Sequence, residues 1–424
     1  MSQLQDSAHL RRLRAGLSQR RCWLIVGLIS VVALINYFDR QSLSVVAPRF
    51  QAQLHLSDEV YGHVVSLFLL ASAISYAGAG FLTDWLGARA SMALFVGWWS
   101  LAEAMTAVVR SAIQLATARF CLGLGEPGLW VAAPKTVAET LDEKHHSMAI
   151  GLYTLGATVG AVIALPAIAV VTTHLPWKAI FILDGCAGIL WLPLWFLAFP
   201  KKRPDFKAAH TQADDAQPST VIRDVLRRGT TWRFMIARGL TDPVWYFYLF
   251  WYPKYLLGPR ALPMSKVAQI GWIVYLFAGA GTLGGGAVSG WLIRRGVAPA
   301  KAYRRSMAAY AAVIPLSPLA GLAHSALLSV GIASIIALAH MAWLVTLSSA
   351  LIIVYPPAQL GKAFGFVAAG SALGGLLWTE IIANVITHHG YVPVFFLMMM
   401  LHPIAIWILW TTFEPTHAAA SVTA

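Results

Sequence analysis

Read for alternating apolar and polar stretches, the chain is a succession of apolar runs separated by short polar turns. Twelve runs occur, at 22–47, 60–82, 90–109, 113–135, 148–171, 179–199, 233–257, 267–292, 306–323, 325–351, 363–386 and 391–412. About 20 apolar residues rising ~1.5 Å each cross the ~30 Å hydrocarbon core of a bilayer. The pattern therefore predicts an all-α integral membrane protein with twelve transmembrane helices. Runs nine and ten are parted only by His324 and Ser325, so their boundary is the least defined. The one long polar stretch, 200–232, falls between runs six and seven. It predicts a six-helix bundle over 1–199, a cytoplasmic linker over 200–232 and a second six-helix bundle over 233–424. Within the linker, 221–228 has the pattern of a short amphipathic helix lying on the membrane surface.

Composition agrees with this reading. Of the 424 residues, 58% are hydrophobic and 12% charged, against about 25% charged in soluble domains. The net charge of +13 invites nucleic acid as a partner, but the placement of the charges argues against it. Arg11, Arg12, Arg14, Arg20 and Arg21 precede run one, Lys201, Lys202, Arg203 and Lys207 open the linker, and Arg294, Arg295, Lys301, Arg304 and Arg305 follow run eight. Alternate loops hold far fewer basic residues, which puts both termini in the cytoplasm by the positive-inside rule. No small-residue cleavage site follows run one, so it reads as an uncleaved anchor. Cys22, Cys121 and Cys186 are odd in number and lack metal-ligand spacing, so they read as packing residues and no metal site is expected. Patterns such as H-E-x-x-H, G-x-S-x-G and the phosphate-cradling loop are missing, which argues against the enzymes they mark.

Candidate chemistry lies where charges interrupt apolar runs. A charge at bilayer depth costs at least about 2.5 kcal/mol and normally faces a partner or a water-filled cavity. Asp39-Arg40 interrupts run one, and Arg119 and Glu126 interrupt run four. Counting ~1.5 Å per residue, Asp39 and Arg119 lie at similar depth and are expected to pair if their helices face each other. Glu126 lies two helical turns deeper than Arg119, near the midplane. Arginine stays charged and grips a carboxylate through two parallel hydrogen bonds, which makes Arg40 the candidate for binding an anion. Glu126 is the candidate for exchanging a coupling proton, with Asp39 as a second protonation site. In run seven, Arg238 and Asp242 form an i,i+4 pair, and Pro243 can kink the helix beside them. Tyr37 adjoins the charged cluster, Trp245 and Tyr248 can stack on a ligand, and His340 lies deep in run ten. Lys254 reads as a snorkelled lysine and Glu380 as a solvated acid.

The turn between runs two and three reads Gly80-Phe81-Leu82-Thr83-Asp84-Trp85-Leu86-Gly87-Ala88-Arg89. It resembles the signature loop of the major facilitator superfamily, G-x-L-x-D-R-x-G-R, with Trp85 in place of the first arginine. The corresponding stretch in the second half, 284–296, keeps glycines and basic residues but lacks the acid. Asn36-Tyr37-Phe38-Asp39-Arg40 and Arg119-Phe120-Cys121-Leu122-Gly123-Leu124-Gly125-Glu126 resemble the anion:cation symporter branch. Residues 239–254 are similar to the seventh span of bacterial hexuronate-type members. The resemblance implies the twelve-helix major facilitator fold in a bacterial inner membrane. It also implies proton-driven uptake of a small organic anion, commonly a sugar acid such as a hexuronate, aldonate or aldarate. Protons serve as the coupling ion, no cofactor is needed, and a monomer in the lipid bilayer is expected. The resemblance supports proton coupling at Asp39 and Glu126 and substrate binding at Arg40 and Arg119, and the signature loop supports gating at Asp84 and Arg89. By position and chemistry, Tyr37, Trp245, Tyr248 and His340 are further substrate-binding candidates and Arg238 and Asp242 gating candidates. Two departures matter: Met341 follows His340 where such members carry glutamine, and Ser72 stands where they carry tyrosine. These leave an aromatic or other monocarboxylate open as substrate. An exchanger or exporter on the same scaffold is a further alternative. Span five lacks the Gly-Pro-rich signature of drug antiporters, which weighs against drug efflux.

Overall fold

The computed structural model describes residues 18–141, 143–199, 218–355, 357–410 and 412. Regular structure among the described residues is entirely helical. Helices α1 (Gln19–Leu54), α2 (Asp58–Thr106), α3 (Ala112–Gly125), α4 (Pro127–Thr140), α5 (Glu143–His174) and α6 (Lys178–Ala198) precede the polar stretch. A short α7 (Pro218–Arg227) leads into α8 (Gly229–Phe250), α9 (Tyr252–Leu257), α10 (Met264–Ile270), α11 (Trp272–Arg294) and α12 (Pro299–Ala311). The chain ends with α13 (Ser317–Leu322), α14 (Ala326–Val354), α15 (Pro357–His389), α16 (Val392–Met399) and α17 (Leu401–Trp410). Each of the twelve apolar runs falls mainly on helix, and among the described residues eight helices are long and apolar enough to cross a membrane. Leu24, Leu101, Leu190, Leu377 and Trp407 are exposed on the outside of the bundle, the surface a bilayer covers.

Local chemistry explains where the helices bend. Runs two and three form one unit, α2, turned at Gly87, whose φ of 77° is left-handed and suits only glycine without strain. Run four breaks between Gly125 and Pro127, because proline has no N–H to give to the carbonyl four residues back. Run seven breaks at Trp251, ahead of Pro253. The expected surface helix is present as α7, but it does not lie free on the membrane: Val225 is fully buried in an apolar cluster with Phe234 and Tyr355.

Small residues set the helix spacing. An added Cβ at Gly156 or Gly160 of α5 would collide with the α1 carbonyls of Ser30 or Leu34, and one at Gly123 of α3 would collide with Phe68 of α2. The second half repeats the pattern: Gly281 and Gly285 of α11 lie on Leu338 and Ala342 of α14, and Gly374 of α15 lies on Gly239 of α8. Backbones brought this close pack by dispersion where lipid offers no hydrophobic drive.

Contacts between the first six runs and the last six are concentrated away from the chain termini. At that distal end Tyr61 donates to the Phe250 carbonyl at 2.5 Å, Lys254 pairs with Asp58, and His63 meets Glu380 at 2.7 Å. Lys254 is thus a buried ion-pair partner rather than a snorkelled side chain, and Glu380 is bridged rather than simply solvated. Near the termini the second half builds its own apolar cluster from Phe234, Met307, Trp343, Leu351 and Leu409, with no residue of 18–199 in it. The bundle is therefore closed at the distal end, and among the described residues the apolar cluster near the termini belongs to the second half alone.

Candidate functional site

Between the halves lies a cavity of about 350 Å³, within the range of small-molecule sites. Helix α1 contributes Tyr37 and Arg40, α2 contributes Tyr76, and α4 contributes Trp130. From the other side α8 contributes Arg238, Asp242, Trp245 and Tyr246, and α14 contributes His340. The α8 set follows helical spacing, since positions i, i+4, i+7 and i+8 share one face. Hydroxyls of Thr154, Thr158, Thr282 and Ser371 complete the polar lining.

Each arginine is held by an acid. Arg40 Nε donates to Glu126 Oε2 at 2.7 Å, with Glu126 wholly buried and Arg40 11% exposed. Its guanidinium lies 5.4 Å from the Tyr37 ring centre. The break at Pro127 places Glu126 at the junction of α3 and α4, against α1. On α8, Arg238 Nε donates to Asp242 Oδ2 at 2.8 Å. The second oxygens, Glu126 Oε1 and Asp242 Oδ1, are buried and make no hydrogen bond. Ion pairs in low dielectric are near neutral overall, so a proton delivered to the carboxylate releases a cation able to take another anion. His340 Nδ1 lies 3.1 Å from His402 Nε2, which leaves His340 Nε2 without a partner. Tyr246 and Ser371 hydroxyls meet at 2.8 Å.

A second polar cluster lies beside the cavity, inside the first half. Arg119 pairs with Glu103 of α2 at 2.9 Å and donates to Thr106 Oγ1 at 3.2 Å. Asp39, Glu103 and Asp184 bring carboxylate oxygens within 4.8 Å of one another, and Ser42 donates to Asp184 at 3.3 Å. Three carboxylates face one arginine there, a set that can share protons or hold a single cation. A void of about 10 Å³ bordered by Arg40, Arg119 and Glu126 separates the two clusters, room for roughly one water.

Several expectations change. Asp39 does not pair with Arg119, because Glu103 takes that arginine and Asp39 turns to Asp184. Arg119 borders the small void, not the cavity. Tyr248 is fully buried away from the cavity, against Phe247 and Tyr252; it is off the 238–242–245 face, and Tyr246 takes the wall position. Arg89 donates to the Phe199 carbonyl at 2.6 Å and stacks on Phe196, within the first half and away from the cavity. The Asp84 side chain lies outside what the structure describes. Glu103, Asp184 and His402 were passed over, although each is a polar interruption of an apolar run like Asp39.

Residues 29–379 match the model of the Major Facilitator Superfamily. The chain belongs to that family and is a multi-pass membrane transporter, not an enzyme. Among curated relatives it is similar to the hexuronate transporter of Escherichia coli (strain K12), 23% identical over 92% of this chain and 94% of that one. It is also similar to a probable L-galactonate transporter of the same strain, 29% identical over 72% of this chain and 71% of that one. The galacturonate transporter of Dickeya chrysanthemi is 26% identical over 62% of this chain and 80% of that protein. Among solved structures, a D-xylose-proton symporter has a TM-score of 0.75 at 14% identity, covering 93% of this chain and 98% of that one. A bacterial homologue of the human lysosomal transporter Spinster, inward-facing and unoccupied, has a TM-score of 0.72 at 19% identity, covering 96% and 95%. These likenesses establish the fold.

Proposed function

We propose that this transporter imports a sugar acid together with protons across a bacterial inner membrane, with both termini cytoplasmic. The observation that carries this reading is the Arg40–Glu126 pair at the wall of the central cavity. Protonation of Glu126 frees Arg40 to bind the substrate carboxylate, and release of the proton inside restores the pair and expels the anion. Tyr37, Trp245 and His340 contact the sugar. Asp39 acts as a second protonation site, in contact with Glu103 and Asp184. Bundles 1–199 and 233–424 rock about the cavity as a monomer, joined by 200–232. The conformation closed at the distal end is the inward-open one. The names of the relatives support sugar acids as the substrate class.

The test is uptake into proteoliposomes under an inward proton gradient, with labelled glucuronate, galacturonate, galactonate and benzoate. Gradient-driven accumulation of a sugar acid is expected. Glu126→Gln is expected to exchange substrate without accumulating it. Uptake indifferent to the gradient in the unmodified protein sinks proton symport. Uptake of benzoate alone favours a second reading, an aromatic carboxylate, for which the Trp130, Trp245 and Tyr275 walls of the cavity speak.

A further inference from the structure

Arg40 and Arg238 are the only guanidinium or ammonium groups among the described lining residues of the cavity. They stand on opposite walls, on α1 and α8, the first long helix of each half. Each is held by an acid of its own half, and each acid keeps one buried oxygen unpartnered. Tyr76 and Tyr246 both lie within electrostatic reach of both guanidinium groups. Arg238 and Asp242 are 18% and 6% exposed. They sit on a single helix, so their pairing joins no two elements. An i,i+4 pair adds little to a helix, while burying its two charges carries a desolvation penalty well above that gain. Structure alone does not explain a pair placed there.

We propose that the cavity is built for a dianion: a polyhydroxy dicarboxylate that bridges Arg40 and Arg238, each substrate carboxylate replacing one protein acid. The inference rests on the sugar-acid reading above and narrows it to diacids. Empty, the four groups sum to zero charge. Glu126 and Asp242 each take one proton, leaving two cations, and the dianion returns the sum to zero. Two protons thus enter with each substrate, one for every carboxylate carried, with Asp39 relaying a proton rather than carrying a third, and the cycle moves no net charge.

The experiment compares labelled galactarate, a six-carbon diacid, with galactonate and galacturonate in proteoliposomes, alongside proton influx read by an internal pH dye. Galactarate is expected to compete at concentrations at least about tenfold lower than galactonate, as two charge-assisted contacts outdo one, with two protons entering per molecule. Arg238→Gln is expected to narrow that preference at least about tenfold. Galactonate taken up as well as or better than galactarate overturns the proposal but leaves sugar-acid symport standing. One proton per galactarate in the unmodified protein, which needs no variant, also overturns it. A preference unchanged in Arg238→Gln does the same. Failure to carry any of the three sinks the sugar-acid reading itself.

Discussion

Arg40 and Glu126 are 86 positions apart and meet at 2.7 Å, and the function proposed above turns on this contact. An arginine offers two in-plane donors, whereas lysine offers a point charge. Arg40→Lys should therefore fold normally yet lower the initial uptake rate by at least about tenfold, mainly through a raised KM, since one charge-assisted bond contributes about 1.5–3 kcal/mol. An unchanged KM would remove Arg40 from substrate contact. Asp39, Arg40, Arg119 and Glu126 were legible because each breaks an apolar run, where only a partner or a cavity makes a charge tolerable, whereas Glu103 and Asp184 break theirs singly and were missed. Their pairing was not legible. Depth along a helix placed Asp39 level with Arg119, but the choice of Glu103 depends on which faces of α2 and α3 meet. The exchange of Tyr248 for Tyr246 was within reach, since 100° per residue separates the two faces once Asp242 is fixed.

At the scale of the helix, glycine decides how closely neighbours approach. Gly160 lies against the carbonyl of Leu34, whereas Gly151, on the same helix, has open space around it. Gly160→Leu should destabilise the protein by about 1–3 kcal/mol through overpacking. A clear drop in the thermal midpoint in detergent is expected, while Gly151→Leu leaves the midpoint in place. Equal behaviour of the two variants would mean that α1 and α5 do not pack as described. The apolar runs read from the sequence fall mainly on helix because apolar length is a property of one segment alone. It did not reveal which glycines touch a neighbour, a property of two segments. The breaks at Pro127 and Trp251 follow from proline's missing donor, and only the structure shows that the first of them seats Glu126 beside Arg40.

Across the whole molecule, the halves meet firmly at the distal end. His63 and Glu380 face each other there at 2.7 Å. Cysteines at these two positions, with Cys22, Cys121 and Cys186 replaced, should be joined by a short thiol crosslinker. The bridge should hold the distal end shut and stop uptake until it is cleaved. Full uptake with the bridge intact would show that this end does not open during the cycle. A different consequence comes from the two arginine–carboxylate pairs in the cavity. Because each arginine carries its own counter-ion, the unloaded site contributes no charge when it swings from one face of the bilayer to the other. An uncompensated charge crossing an energised membrane gains or loses about 2.3 kcal/mol per 100 mV. The empty return stroke is spared that load at these four groups.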